Sequence, residues 1–420
     1  MTKILKVWAR EILDSRGFPT VESFCQTDNN LISVASVPSG TSTGSTEALE
    51  LRDNDPNRFN GKGVLKAVNN INTILGPSVV GMDIADQISI DKKLISLDGT
   101  KNKSKYGANA ILSISIATIK AAAMSSNLPL YKYVNQISKA SGMPQNIKVP
   151  TPLFNMINGG LHGAGNLDFQ EFHVIPATSK KFSDGLRMGV EVYMKIGETL
   201  KRRGAIHSVG QEGGYAPNLF TNADALEILV ESIHETTYQL GIDVFLGLDV
   251  AASVFYKNGT YSIRDKSTPL KDVELMEYFK NINSLYHLAI IEDMFHEEAW
   301  DSWKKIYNEF HGQVLIVGDD LLATNPERVA KAIKEKACDT ILVKPNQIGT
   351  VTETINVIKL ARSANWKIIV SHRSGETNDW FIADFAVGMG SDYVKFGAPA
   401  RGERVAKYNR LLAIESEISS

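Results

Sequence analysis

Asp339-Thr340-Ile341-Leu342-Val343-Lys344-Pro345-Asn346-Gln347-Ile348-Gly349 is the stretch whose reading decides the fold. Ile341, Leu342 and Val343 are aliphatic in succession and mostly β-branched, the pattern of a short strand buried on both faces. Pro345 cannot donate to a strand ladder, so the strand stops with Lys344 at its C-terminal lip. Barrel and doubly wound α/β enzymes keep their chemistry at that lip. A lysine there also suits a solvated strand end that carries its ammonium out to water. The surrounding chain separates these two readings.

Working outward, strand-like runs at 244–249, 288–292, 313–318, 340–344, 367–371 and 393–396 alternate with amphipathic helical stretches. The helices are expected at 271–282, 297–309, 326–336, 350–364, 378–388 and 402–417. Segments 150–157, 169–176 and, more weakly, 205–210 supply the remaining strands. Repeated βα units on this scale favour a (β/α)8 barrel over a doubly wound sheet. Upstream, residues 3–37 read as three short strands and 63–134 as helices, which describes an α+β unit. The polar, Pro- and Gly-bearing segment Ser141-Gly142-Met143-Pro144-Gln145-Asn146 marks a boundary. The expectation is an α/β protein: a smaller α+β N-terminal domain, 1–140, and a C-terminal TIM-type barrel, 141–420.

Asp249, Glu292, Asp319, Lys344, His372 and Lys395 each end one of the strand-like runs. From Glu292 onward each follows the last by about one βα unit, so in a barrel they share one level and converge on one mouth. Six polar strand ends in phase are hard to explain as solvated edges. Asp249, Glu292 and Asp319 brought together would repel unless a cation sat among them. Oxygen ligands without cysteine or a histidine pair suit a hard ion, Mg²⁺ before Zn²⁺. His296-Glu297-Glu298-Ala299-Trp300 lacks the second histidine of a zinc helix and reads as a solvated helix start. A lysine beside a divalent metal and a second lysine should have a lowered pKa and so serve as a general base. That points to removal of a proton alpha to a carboxylate, with metal stabilising the enediolate.

Composition excludes other classes. Lys plus Arg number 45 against 47 for Asp plus Glu, a net charge of −2, so no global field attracts nucleic acid or an acidic membrane. Lys201-Arg202-Arg203 reads as a solvated helix end. Cys25 and Cys338 share no metal or redox spacing, and a reduced, cytoplasmic chain is expected. The N-terminus has no apolar signal core. The apolar stretch from Ala108 to Met124 is interrupted by Lys120 and reads as a buried helix rather than a membrane span. GxG at Gly61, Gly163 and Gly388 lacks a third glycine, and no GK[ST] occurs, so nucleotide-binding loops are set aside.

Thirteen motifs, in order along the chain, carry a resemblance. They are DSRGFPTVE (14–22), VPSGTSTG (37–44), ALELRD (48–53), LDGTKNKSKYGANAIL (97–112), NGG (158–160), QEF (170–172) and QEGGYAPN (211–218), followed by LDVAAS (248–253), IED (291–293), VGDDL (317–321), KPNQIGT (344–350), SHRSGET (371–377) and RVAKYNRLL (404–412). With these the chain resembles the enolase family over essentially its whole length. The resemblance implies a barrel with a ββαα start and the reversible dehydration of 2-phospho-D-glycerate to phosphoenolpyruvate, a carbon–oxygen lyase step of glycolysis and gluconeogenesis. It implies Lys344 as the base at C2 and Glu212 as the acid that helps the C3 hydroxyl leave, supported by Glu171. Asp249, Glu292 and Asp319 are implied to hold a first Mg²⁺, and Ser42 to complete a second that bridges to phosphate. One of the two would have a structural role and one a catalytic role. Arg373 and Ser374 would grip phosphate, Lys395 would face the substrate carboxylate, and Gln170, His162 and His372 would line the pocket. The Gly- and Ser-rich loop 38–44 would close as a lid, and the chain would be a homodimer or larger ring.

A phosphate-free sugar-acid dehydratase or racemase of the same superfamily has no use for Arg373, Ser374 and the Ser42 loop. A binding protein that has lost turnover is disfavoured by the intact catalytic positions. Four departures from the family pattern stand out: Gln211 for Asp, Met294 for Pro or Gly, Leu161 for a small polar residue, and Phe18 for Asn. Gln211 is expected to lower the pKa of Glu212 by removing a neighbouring negative charge.

Overall fold

A three-stranded antiparallel meander opens the chain: β1 (Ile4–Leu13), β2 (Pro19–Thr27) and β3 (Ile32–Ser36). The computed structural model describes residues 1–40, 46–140, 142, 147–163, 165 and 167–419. Asp14 closes the β1–β2 turn by accepting from the Arg16 and Phe18 amides at 2.8 and 3.0 Å. Phe18, one of the departures, lies beneath the Lys62 ammonium, 3.6 Å from its ring centroid. Helices α1 (Gln87–Asp98), α2 (Ala108–Ser125) and α3 (Leu130–Ala140) follow. Among the described residues α2 is the one helix long and apolar enough to cross a membrane, and 83% of it is buried inside the protein. Its serine-laced face meets the sheet, Ser113 Oγ lying 2.6 Å from Ser23 Oγ and the Ala117 carbonyl accepting from Ser33 Oγ at 2.6 Å. It is a core helix, as its composition implied.

Eight strands then close into a barrel: β4 (Thr151–Asn158), β5 (Glu171–Pro176), β6 (Val244–Asp249), β7 (Ile290–Glu292), β8 (Leu315–Gly318), β9 (Thr340–Val343), β10 (Lys367–Ser371) and β11 (Tyr393–Lys395). Their order around the barrel is β8-β9-β10-β11-β4-β5-β6-β7. β5 runs antiparallel to both neighbours and the other pairings are parallel. Helices α4 (Phe182–Arg202) and α5 (Asn222–His234) come before β6, which gives the ββαα start. α6 (Asp272–Tyr286), α7 (Trp300–Phe310), α8 (Pro326–Glu335), α9 (Val351–Ser363), α10 (Phe381–Gly388) and α11 (Gly402–Ser419) then alternate with strands.

Leu153, Ile175, Ile290, Val317, Leu342 and Ile369 fill the barrel interior as a separate buried cluster. Ile341 and Val343 point the other way, into the core between strands and helices. The run at 341–343 is therefore apolar on both faces because both faces are covered. The weak strand expected at 205–210 does not form; only a single bridge joins Val209 to Tyr215. Residues 206–209 are exposed, so this segment has no apolar face to bury in a sheet. Arg202 and Arg203 at the end of α4 pair with Glu231, as a solvated helix end allows.

The N-terminal unit caps a barrel helix. Ser115 Oγ accepts from the Val351 amide at 2.9 Å, and Asp91 Oδ2 accepts from the Thr352 amide at 2.9 Å. These are unsatisfied first-turn donors of α9, the helix that follows the Lys344 turn. Gly388 of α10 lets α3 approach closely: a Cβ there would lie 2.5 Å from Val134 Cβ and 2.8 Å from the Tyr131 carbonyl oxygen.

Gly388→Ala should therefore overpack this seam and lower unfolding stability by about 1–3 kcal/mol, read by urea denaturation. Burial lifts the Asp91 carboxyl from 3.8 to about 6, although Thr352, Ser115 and Gln87 bond to it. Folding thus favours its protonated form; that gain is complete below the unfolded value and is lost as pH rises through about 6. Asp91→Asn removes the titration. Between about pH 4 and pH 7 its stability should shift, relative to the parent, by on the order of 3 kcal/mol in the variant's favour.

Candidate active site

Strand register brings the carboxylates together. Glu171 of β5 is paired with Asp249 of β6, and Asp249 with Glu292 of β7. Across the mouth, Lys395 ends β11 beside Ser371 of β10. Its Nζ lies 3.4 Å from Glu171 Oε2, 3.0 Å from Asp249 Oδ2 and 2.9 Å from Glu292 Oε1. Burial opposes that charge, but Asp249, Glu171 and Glu292 raise the Lys395 pKa well above its ordinary range. Glu292 is pushed well up by burial and by the Asp249 charge. Glu171 goes well down: burial works against it, yet the Lys395 charge and hydrogen bonds from His162 and His173 prevail.

Glu212 sits in the loop between α4 and α5. Its Oε2 accepts from Asn155 Nδ2 at 3.1 Å and lies 3.2 Å from His372 Nε2, while Oε1 is 3.4 Å from His162 Nδ1. His162 Nδ1 is also 3.2 Å from Glu171 Oε1, and its Nε2 is 3.1 Å from Ser374 Oγ. Burial and the Glu171 charge push Glu212 up, but His162 and His372 bring it down to about 2. The flanking histidines are what lowers it, and Gln211 is not among the causes.

Lys344 pairs directly with Asp319. The lowered pKa expected for it is not what this arrangement produces. Burial, Arg373 and Lys395 all favour the neutral amine, but contact with the Asp319 carboxylate outweighs them and the pKa is raised. Arg373 Nη1 donates to Glu47 Oε2 at 3.1 Å and to Asn346 Oδ1 at 3.0 Å, so a residue of the N-terminal unit reaches the barrel mouth. Gln170 Nε2 donates to Asp249 Oδ2 at 3.3 Å.

Glu171, Glu212, Asp249, Asp319, Lys344 and Lys395 line a single cavity of about 310 Å³, together with His162, Gln170 and the His372-Arg373-Ser374 turn. Glu292 lies beneath it, both carboxylate oxygens 2.9 Å from Lys395 Nζ. Ser42, and with it most of the expected lid, lies outside the described residues. Sequence spacing did not single out Asn155, His173, Glu47 or Asp293. Asn155 and His173 sit inside strands among apolar residues, where only tertiary placement reveals a polar role. Asp293 follows Glu292 directly and could have been flagged by the double acid.

The chain matches the family model described as enolase, N-terminal domain, over residues 4–134, and the one described as enolase, C-terminal TIM barrel domain, over residues 146–420. The chain belongs to the enolase family. It is thus an enolase-type enzyme with a small-molecule substrate.

The donor set at the barrel mouth fits a hard divalent cation. Asp249, Glu292 and Asp293 have carboxylate oxygens within 4.8 Å of one another, as do Asp293, Asp319 and Asp320. Asp249 Oδ1 is buried with no hydrogen-bond partner among the described residues. Asp293 links the two groups and also accepts from the Asp319 and Asp320 amides at 3.0 and 2.7 Å, which fixes the backbone that carries Asp319.

Mg²⁺ added to metal-free protein at about 100 times its Kd should raise unfolding stability by about 2.7 kcal/mol, measured by denaturant titration. Asp249→Asn should lose most of that increment while keeping the circular dichroism of the parent.

Proposed function

We propose that this enolase-family protein catalyses the reversible dehydration of 2-phospho-D-glycerate to phosphoenolpyruvate and water, as a cytoplasmic enzyme of glycolysis and gluconeogenesis. One observation carries the reading. In the barrel order, β9, which ends at Lys344, stands diametrically across from β5, which begins at Glu171 beside Glu212. A basic group and a carboxylate pair thus face one small cavity from opposite walls, as loss of a proton from one carbon and of hydroxide from its neighbour requires.

In the dehydration direction Lys344 Nζ takes the C2 proton, the C3–O bond breaks, and the electron pair of the C2–H bond becomes the C2=C3 double bond. Glu212 delivers a proton to the departing hydroxyl, which leaves as water. In hydration the same carboxylate, ionised, takes that proton back from water. His162 stands beside both Glu212 and Glu171; burial opposes its charge, but the two carboxylates raise its pKa, so a proton is held within reach of the acid. Arg373 offers a planar fork of donors suited to phosphate, with Ser374 beside it. Lys395, Gln170, His162 and His372 orient the rest of the substrate.

Asp249, Glu292 and Asp319 would hold one Mg²⁺, and Ser42 with the substrate a second. A cation held by these residues would supply positive charge to balance the negative charge that develops on the substrate carboxylate. Engagement of Asp319 with a cation also withdraws the charge that raises Lys344 in the metal-free arrangement, which would let the amine act as a base. Residues 1–140 act in this reading as a capping domain over the barrel of 141–420, and the assembly is a homodimer or larger ring.

Purified protein with Mg²⁺ and 2-phosphoglycerate should show rising ultraviolet absorbance as the conjugated product forms, and chelator should stop it. Lys344→Ala and Glu212→Gln should each lower kcat by roughly 10²–10⁴-fold. Wild-type turnover by Lys344→Ala, or turnover confined to non-phosphorylated hydroxy acids, would overturn the assignment.

A further inference from the structure

Arg404 lies in the first turn of α11, and its side chain is completely buried. The first turn is the wrong end of a helix for a cation, and burial adds a desolvation cost. Among the described residues its carboxylate contact is Glu403 Oε1, 3.4 Å from Nε. Its remaining contacts converge on the acid side of the cavity. Nη1 donates to His372 Nδ1 at 2.7 Å and to the Arg373 carbonyl at 2.7 Å. Nη2 donates to the Gln211 carbonyl at 3.2 Å and to the Ser374 carbonyl.

We propose that Arg404 is a positioning residue that fixes the tautomer of His372 and ties the Glu212 loop to the Arg373-Ser374 turn. The chemistry leaves one arrangement. A guanidinium is always protonated and only donates, so His372 Nδ1 must accept. The ring proton then resides on Nε2, which faces Glu212 Oε2 at 3.2 Å and donates to it. The same guanidinium holds carbonyls on both sides: Gln211, which precedes the acid, and Arg373 and Ser374. The charged groups acting on His372 are Glu212, Arg404 and Glu171. Burial and the Arg404 charge outweigh the two carboxylates and keep the ring neutral. His372 is thereby a fixed donor to Glu212 rather than a second, competing acid.

The inference deepens the reaction proposed above, but its primary test does not depend on the substrate. In Mg²⁺-loaded protein labelled with 15N-histidine, with the His372 signals assigned by their loss in His372→Gln, the ring should show protonated Nε2 and bare Nδ1. Its titration midpoint should lie below that of an ordinary histidine. In Arg404→Met the midpoint should move up relative to the parent, kcat should fall about 10–100-fold, and its pH profile should gain an acidic limb. Arg404→Lys keeps a charged donor, but a compact ammonium cannot span His372 and three carbonyls as the guanidinium fork does, so it should restore the tautomer and only part of kcat. Protonated Nδ1 in the parent overturns the proposal, whether or not either variant folds. A folded Arg404→Met with unchanged histidine signals and pH profile does the same. A fixed Nε2 proton in protein that does not turn over 2-phosphoglycerate would sink the reaction and leave the positioning role standing.

Discussion

One buried ammonium balances the mouth of the barrel. Strand register places Glu171, Asp249 and Glu292 side by side, and like charges so close and so dry repel strongly. Lys395 Nζ stands within 3.4 Å of all three. Its strand, β11, is separated from β5, β6 and β7 in sequence order, and reaches them only because the sheet closes. Closure and charge balance therefore depend on each other. An open sheet would leave three carboxylates without their counter-ion, and an uncharged residue at 395 would oppose closure.

The same residue type behaves differently on the two sides of that balance. Glu171 and Glu212, held by histidines and, for Glu171, by Lys395, are pulled down. Glu292 and Asp320, pressed by burial and neighbouring acids, are pushed up, Asp320 to about 7. Glu171 and Glu212 thus keep their charge against the histidines, and Asp319 keeps its charge against Lys344, while Glu292 and Asp320 resist ionisation where a cation would relieve them.

The N-terminal unit reaches that site. Glu47 bonds Arg373, and Asp91 and Ser115 cap the helix that leaves the Lys344 turn. The turn itself is short: Pro345–Ile348 makes one helical turn and Gly349 follows with φ +103. A lysine ended by such a turn, against a capped helix, has little backbone freedom, which keeps the ammonium aimed into the cavity.

Periodicity alone determined much of this protein. The two-faced apolar run at 341–343, the alternation of strands and helices after residue 240, and the phase of Asp249, Glu292, Asp319, Lys344, His372 and Lys395 were all legible, because barrel register is a local repeat. Glu171 and Glu212 were not legible by spacing. One lies on the antiparallel strand and the other in a loop, so neither shares the phase, and only motif resemblance picked them out. The segment 205–210 misled because a few β-prone residues were read without a face to bury. The charge states belonged to the tertiary structure entirely. Whether Lys344 is lowered or raised depends on which carboxylate touches it, and contact with Asp319 is set by packing. Arg404 is the clearest case. In sequence it is one of several arginines near a helix start, and only the closed fold turns its guanidinium onto His372 and three carbonyls. A group's chemistry follows from its neighbours within a few ångströms, and those are chosen by the fold rather than by order along the chain.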